Sequence, residues 1–304
     1  MEAISKEKFQ PAKKTTSAEA IVRPSLNYWV DAWRRLRKNK LAMLGLTVLV
    51  ILTLLAIFAP MFSSHDYATQ HLKETNLKPN STYWFGTDDF GRDMWTRVWW
   101  GTRISLFIGL VAAALDLVVG VLYGSISAYF GGKVDSFMQR FIEIIYSIPY
   151  LLIAILLIMV LGSGITSIIL AYAITGWVTM ARLVRGQMLV LKEQEYVLAA
   201  RTLGAGPWRI ISKHLIPNVL SVVVVQITFV VPTAIFVESF LSFIGLGIKP
   251  PLASLGNLLS DGAGVLRYQP HRLLFPTAVF SLILLSFNLL GDGLRDALDP
   301  KMRR

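Results

Sequence analysis

The stretch most able to act on another molecule is Glu195-Tyr196-Val197-Leu198-Ala199-Ala200-Arg201-Thr202-Leu203-Gly204-Ala205-Gly206-Pro207-Trp208, continuing to Pro217-Asn218. Small Ala199 and Ala200 permit close approach of a second surface. Gly204 and Gly206-Pro207 break the helix, and Pro207 is suited to the first turn of a new one. On that second helix Trp208, Ile211 and Leu215 recur three and four apart, which predicts an apolar ridge. Arg201, Arg209 and Lys213 flank it. The pattern reads as a protein-docking helix-turn-helix; the other reading is a solvated loop packed on its own neighbours. A second constellation, Trp84-Phe85-Gly86-Thr87-Asp88-Asp89-Phe90-Gly91-Arg92-Asp93, places three carboxylates and a guanidinium among two glycines. It predicts a compact hydrogen-bonded turn, which serves either as a rigid cap or as a docking surface.

Chemistry on covalent bonds is harder to find. A phosphate-cradling loop would read G-x-x-x-x-G-K-[ST], and the glycines at Gly162–Gly164 and Gly204–Gly206 lack the Lys-[Ser/Thr] pair. The histidines His65, His71, His214 and His271 are scattered, with no H-E-x-x-H. With no Cys in the chain, thiolate metal sites, disulfides and Cys nucleophiles are excluded. No nucleophile elbow is present. The expectation is a protein that is not an enzyme, holding no metal and no cofactor.

The elements that must carry these motifs are membrane spans. Of 304 residues, 54% are hydrophobic and 16% charged, and the apolar residues come in blocks of the length needed to cross about 30 Å of hydrocarbon. Backbone in that solvent must be helical, so the fold class is an all-α membrane protein. Six spans are expected: about Leu41 to Met61, Ile104 to Phe130, Phe141 to Leu161 with a kink at Pro149, Ile165 to Leu183, Val219 to Ile244 interrupted by Pro232, and Pro276 to Leu294. The net charge of +11 sits beside these runs as the positive-inside rule requires; without a groove-reading motif it does not indicate nucleic acid. Arg34, Arg35, Arg37, Lys38 and Lys40 place the N-terminus in the cytoplasm, and Arg295, Lys301, Arg303 and Arg304 place the C-terminus there. Residues 1–40 then form a cytoplasmic tail, whose first 24 residues are polar and lack an apolar signal core. It ends in an amphipathic helix (Leu26, Trp29, Val30, Trp33, Leu36) lying in the inner interface, or continuing directly into the first span. Residues 41–304 form the membrane domain, with an extracellular loop at 63–101 and the docking loop at 185–218, inside.

Polar residues within the spans need partners. Ala112, Asp116, Gly120, Gly124 and Ala128 recur every four residues, a small-residue stripe suited to close helix packing, against a neighbouring span or a partner chain rather than a solute path. Gln226 and Thr233, seven apart on the fifth span, and Glu238 near its outer end are expected to face a translocation path, with interhelical hydrogen bonding as the alternative.

The docking loop resembles the EAA loop of importer permeases in the ATP-binding-cassette superfamily: Glu195, Ala199-Ala200, Gly204, Ile216 and Pro217 match that pattern, with His214 where an Ile is usual. Gly86-Thr87-Asp88 with Gly91-Arg92-Asp93, followed by Arg97, Gly101, Arg103 and Ser105-Leu106, resembles the signature of C-type permeases of oligopeptide, dipeptide and nickel importers. Glu238 to Gly247 and Phe287 to Pro300 are similar to that family's last two signatures; Leu255 and His271 depart from it, each standing where a Trp is common. The resemblance spans about Leu41 to Arg304. It implies a type I importer permease fold in a bacterial cell membrane, paired as a heterodimer with a sister permease. It also implies two ATPase subunits docked on Glu195, Ala199, Ala200, Gly204, Trp208 and Pro217, an extracellular substrate-binding protein, and peptide as cargo. Dipeptide or nickel import is the runner-up within the family. An ion-coupled carrier would need inverted repeats or ion sites, which the chain does not display.

Overall fold

The computed structural model describes residues 28–299; residues 1–27 of the expected N-terminal tail, Leu26 among them, and Pro300, Lys301, Arg303 and Arg304 lie outside them. The described chain is helical, with a single isolated antiparallel bridge between Thr87 and Asp93. Helix α1 (Tyr28–Lys38) precedes α2 (Lys40–Phe62). The break between them is Asn39, whose side-chain oxygen accepts from the Leu41 and Ala42 N–H groups and so caps α2. The next span comprises α3 (Met94–Leu115), a π-turn over Asp116–Gly120 and α4 (Val121–Phe130). After it come α5 (Gly132–Ser147), α6 (Tyr150–Leu161), α7 (Ile165–Thr175) and α8 (Trp177–Leu191). The docking loop holds α9 (Glu195–Thr202) and α10 (Pro207–Ile210), which runs through a second π-turn into α11 (Ile216–Phe243). Helices α12 (Leu255–Gly264) and α13 (His271–Leu298) complete the described chain.

Among the described residues, five helices are long and apolar enough to span a bilayer: Lys40–Phe62, Met94–Phe130, Ile165–Leu191, Pro207–Phe243 and His271–Leu298. The sixth is the pair α5 and α6, bent by 74°. Here the expected kink at Pro149 is a complete break. Proline disfavours helical backbone in the residue before it, and Ile148 is extended. Helix α6 alone, at about 18 Å long, does not cross the hydrocarbon. Conversely, α11 passes through Pro232 unbroken, and α13 begins before Pro276 rather than at it.

Polar contacts tie the ends of the spans at both faces of the bundle, with outer and inner named as the charge pattern expects them. On the outer side, Gln269 and Arg272 donate to Asn76. On the inner side, Lys192 Nζ donates to the Ala128 carbonyl, Arg185 pairs with Asp135 at 2.6 Å, and the Tyr28 hydroxyl reaches the Leu298 carbonyl. The two largest apolar clusters among the described residues lie at opposite ends of the bundle. The outer one gathers α2, α3, α11, α12 and α13 around Val98, Trp99, Val231, Ile235 and Ile283. The inner one gathers α4, α8, α10 and α11 around Met180, Val184, Met188, Ile211 and Leu215.

Candidate functional site: the inner hairpin and the outer latch

The inner hairpin folds as its breakers dictate. Helix α9 ends where Gly204 takes φ +82°, a left-handed conformation that side chains with a Cβ resist. The Gly204 and Ala205 N–H groups then close on the Arg201 and Ala200 carbonyls. Pro207 opens α10 as expected, and Pro217 lies in the first turn of α11. Glu195 sits exposed in the first turn of α9, where a carboxylate favours the positive end of the helix.

The expected ridge is corrected by the structure. Of Trp208, Ile211 and Leu215, only Trp208 is exposed, at 60%; Ile211 and Leu215 are 1% and 0% exposed. They pack with Val197 and Ile210 against Val121, Met180 and Val184. The reason is geometric. The π-turn at Ile211–Leu215 joins α10 to α11 without a gap, so the face C-terminal to Trp208 already belongs to the span. The projecting apolar surface is instead Leu203, 88% exposed, together with Trp208, Leu198 and Tyr196, with Ala199 exposed between them and Ala200 half-buried. Pro207–Phe243 runs as one helix of 37 residues, so Trp208 stands at the end of the rod whose first turns pack against α4 and α8.

The outer motif forms a latch around Asp88. Its carboxylate accepts from the Phe90 and Arg92 N–H groups and from Arg92 Nε at 2.7 Å, with Arg97 Nε at 3.5 Å. Asp93 caps α3 by accepting from the Trp95 and Thr96 N–H groups and from the hydroxyls of Thr96 and Ser63. The buried Thr87 hydroxyl donates to the Glu74 carbonyl and accepts from Leu77 N–H. Gly91 is needed both for its φ of +70° and because a Cβ there would lie 2.0 Å from the His71 carbonyl oxygen; Gly86 similarly faces the Leu77 carbonyl. Sequence reasoning missed the latch's far partner. Asp89 is held by Arg272 through a bidentate pair at 2.7 and 2.9 Å, and this guanidinium holds the Asp89 carboxyl below the usual carboxylate range. A lone Arg entering an apolar run was the signal available. Nearby, burial and the Glu74 carboxylate push the Tyr83 phenol up to about 12, so it stays protonated and donates to Glu74.

The polar residues of the spans separate into three environments. Glu238 is 0% exposed and accepts from the hydroxyls of Ser105, Ser239 and Ser242, tying α11 to α3. Thr233 is exposed and lines a cleft of about 220 Å³ with Pro232, Phe236, Leu284 and Asn288, while Gln226 is half-buried. Asp116, Gly120 and Gly124 pack inside this chain. A Cβ on Gly120 would meet the Met180 side chain at 2.6 Å, and one on Gly124 the Ala181 carbonyl at 2.4 Å. The π-turn over Asp116–Gly120 holds more residues than an α-turn. It therefore offsets the drift that a four-residue repeat accumulates on an ideal helix, and all five stripe positions from Ala112 to Ala128 are buried.

This architecture has relatives. Residues 120–304 match the model of the binding-protein-dependent transport system inner membrane component family, and residues 27–79 match that of the N-terminal TM domain of oligopeptide transport permease C. The chain is 52% identical to the oligopeptide transport system permease protein OppC of Bacillus subtilis (strain 168) over 100% of both chains. It is 53% identical to the dipeptide transport system permease protein DppC of the same organism, over 96% of this chain and 92% of that one. Among solved structures, inward-facing MetNI methionine ABC transporter is similar with a TM-score of 0.54 at 18% identity, covering 66% of this chain and 94% of the matched chain; that likeness concerns the fold. Permeases of this kind work with other permease and ATPase subunits, and the ATPase subunits hydrolyse the ATP. The chain is thus a multi-pass membrane protein belonging to the family of inner-membrane permease components of binding-protein-dependent ABC importers.

Proposed function

We propose that this chain is the C-type permease subunit of an oligopeptide importer. It forms the translocation path with a sister permease and is driven through its inner hairpin by two ATPase subunits. An extracellular substrate-binding protein delivers the peptide to the outer side. ATP-driven closure of the ATPases moves the hairpin, and the continuous α10–α11 rod transmits that motion to the spans. Hydrolysis then resets the inward-facing state. The carrying observation is the exposed apolar tip of Leu203 and Trp208, extended by Tyr196 and Leu198, on a hairpin anchored in the core by Val197, Ile210, Ile211 and Leu215. Exposed large apolar groups beside basic residues fit a protein groove better than water.

Peptide as cargo rests on full-length similarity to an oligopeptide permease; equal similarity to a dipeptide permease favours short peptides as the second reading. The chain contains no Cys, so Leu203→Cys or Trp208→Cys supplies a unique crosslinking thiol. In the assembled transporter these thiols should capture a nucleotide-hydrolysing subunit. Peptide uptake should be lost in Gly204→Asp and Glu195→Lys with membrane insertion intact. Full uptake by both variants, or transport by the isolated chain alone, would overturn the reading.

A further inference from the structure

We propose that the cleft between α1 and the inner end of α13 binds the headgroup of an anionic phospholipid of the cytoplasmic leaflet. The cleft has a volume of about 940 Å³ and is lined by Asp31, Arg34, Arg35, Arg37, Lys38 and Asn39 on one side and by Gly293, Asp296 and Ala297 on the other. Helix α1 is fixed there by one face: Leu36 packs with Ala297, Leu290 and Leu294, and Ala32 on the same face is buried too. Gly293 lets α13 meet the junction of α1 and α2, since a Cβ there would lie 2.2 Å from the Ala42 side chain on α2 and 3.3 Å from that of Leu36 on α1. The remaining faces of α1 are of two kinds. Trp29, Val30 and Trp33 are exposed, aromatic and apolar groups of the type that settle at the headgroup level of a bilayer. Arg34, Arg37 and Lys38 are also exposed and join no ion pair among the described residues, whereas Arg35 is paired with Asp31 at 3.0 Å.

Four bases therefore face two acids in the cleft, and one of those acids is already neutralised. The capped N-terminus of the 23-residue α2 opens beside it at Asn39, adding the positive end of a helix. A cluster of bases directly cytoplasmic of a span, in a pocket between helices, is the arrangement that holds acidic lipid headgroups. The two tryptophans place that pocket at the depth where such headgroups lie. A soluble phosphate compound would account for the charge of the cleft and leave the apolar face of α1 unexplained.

The test uses the full chain in its assembled transporter, extracted in detergent and weighed by native mass spectrometry after mixing with phosphatidylglycerol or phosphatidylcholine. Retention of phosphatidylglycerol should exceed that of phosphatidylcholine by on the order of tenfold, and R34Q/R37Q/K38Q should abolish the difference. K133Q/R140Q, which removes two bases elsewhere on the same side, should preserve it, and millimolar inorganic phosphate should not displace the lipid. Equal retention by wild type and R34Q/R37Q/K38Q, an equal loss in K133Q/R140Q, or displacement by phosphate would each overturn the proposal. Should the triple variant fail to assemble, brominated phosphatidylglycerol supplies the second measurement. It should quench wild-type fluorescence more than that of Trp33→Phe, and identical quenching would be equally fatal.

Discussion

Arg103 repairs the hydrogen bond that Pro60 removes. Pro60 lies inside α2, where it lacks the N–H that would serve the carbonyl one turn back, at Ala56. Arg103 Nε on α3 donates to that carbonyl at 3.1 Å, and Arg103 Nη2 to the Ile57 carbonyl at 2.9 Å, while its guanidinium lies over the Trp100 ring at 4.6 Å. A family-signature arginine thus stitches the first two spans together near the outer surface.

Arg103→Leu should lower the stability of the chain by about 1–3 kcal/mol, because it leaves the Ala56 carbonyl unpaired where water is scarce. Arg103→Lys should recover part of it, since one ammonium cannot span both carbonyls as a planar fork does. Thermal unfolding of the detergent-extracted protein reads the order wild type, Lys, Leu.

Gly124→Val should prevent α4 and α8 from meeting, since its Cβ would overlap the Ala181 carbonyl, 2.4 Å away. Backbone cannot swing aside as a side chain can, so a loss at the upper end of the overpacking range, about 3 kcal/mol, is expected. Gly186→Ala on α8, where a Cβ meets nothing within 4 Å, is the matched control and should leave thermal stability unchanged.

Glu238→Leu should destabilise the outer half of the protein, because three hydroxyls that now donate to one carboxylate would be stranded in the core at a cost of about 1–3 kcal/mol each before repacking. Glu238→Gln should retain most of the stability. Any fall in peptide uptake should track unfolding across the two variants; strong loss of uptake at unchanged stability would place Glu238 on the solute path after all.

The outer latch should weaken in acid. The folded-state pKa of Asp89 is depressed from its ordinary 3.8 by Arg272. Its stabilisation is therefore present above the unfolded value and is lost as pH falls through the folded one. Protonation leaves Arg272, only 2% exposed, without its counter-charge. On lowering the pH from about 7 to about 3, the unfolding temperature of wild type should fall further than that of Asp89→Asn, whose neutral-pH value starts lower.

Much of this was legible from local pattern. Gly204 and Pro207 broke the inner loop where expected, because left-handed backbone and a missing N–H act within a single turn. Asp93 and Gly91 shaped the outer turn for the same reason. The ridge of Trp208, Ile211 and Leu215 was misread because helical spacing reports that residues share a face without reporting what that face meets. Pro149 and Pro232 look equivalent in sequence. One ends a helix and the other rides inside it, since only packed neighbours decide whether a lost hydrogen bond is tolerated.

The sequence by itself determined that the chain lives in a bilayer and where its loops turn. Apolar run length, flanking charge and the backbone limits of Gly and Pro are properties of short segments. The tertiary structure alone decided that Asp89 finds Arg272, 183 residues away, that Ser105 meets Glu238 across two spans, and that Leu203 rather than Ile211 projects from the hairpin. Each of those depends on which surfaces close against one another, and close packing is a relation between segments that no single stretch of sequence contains.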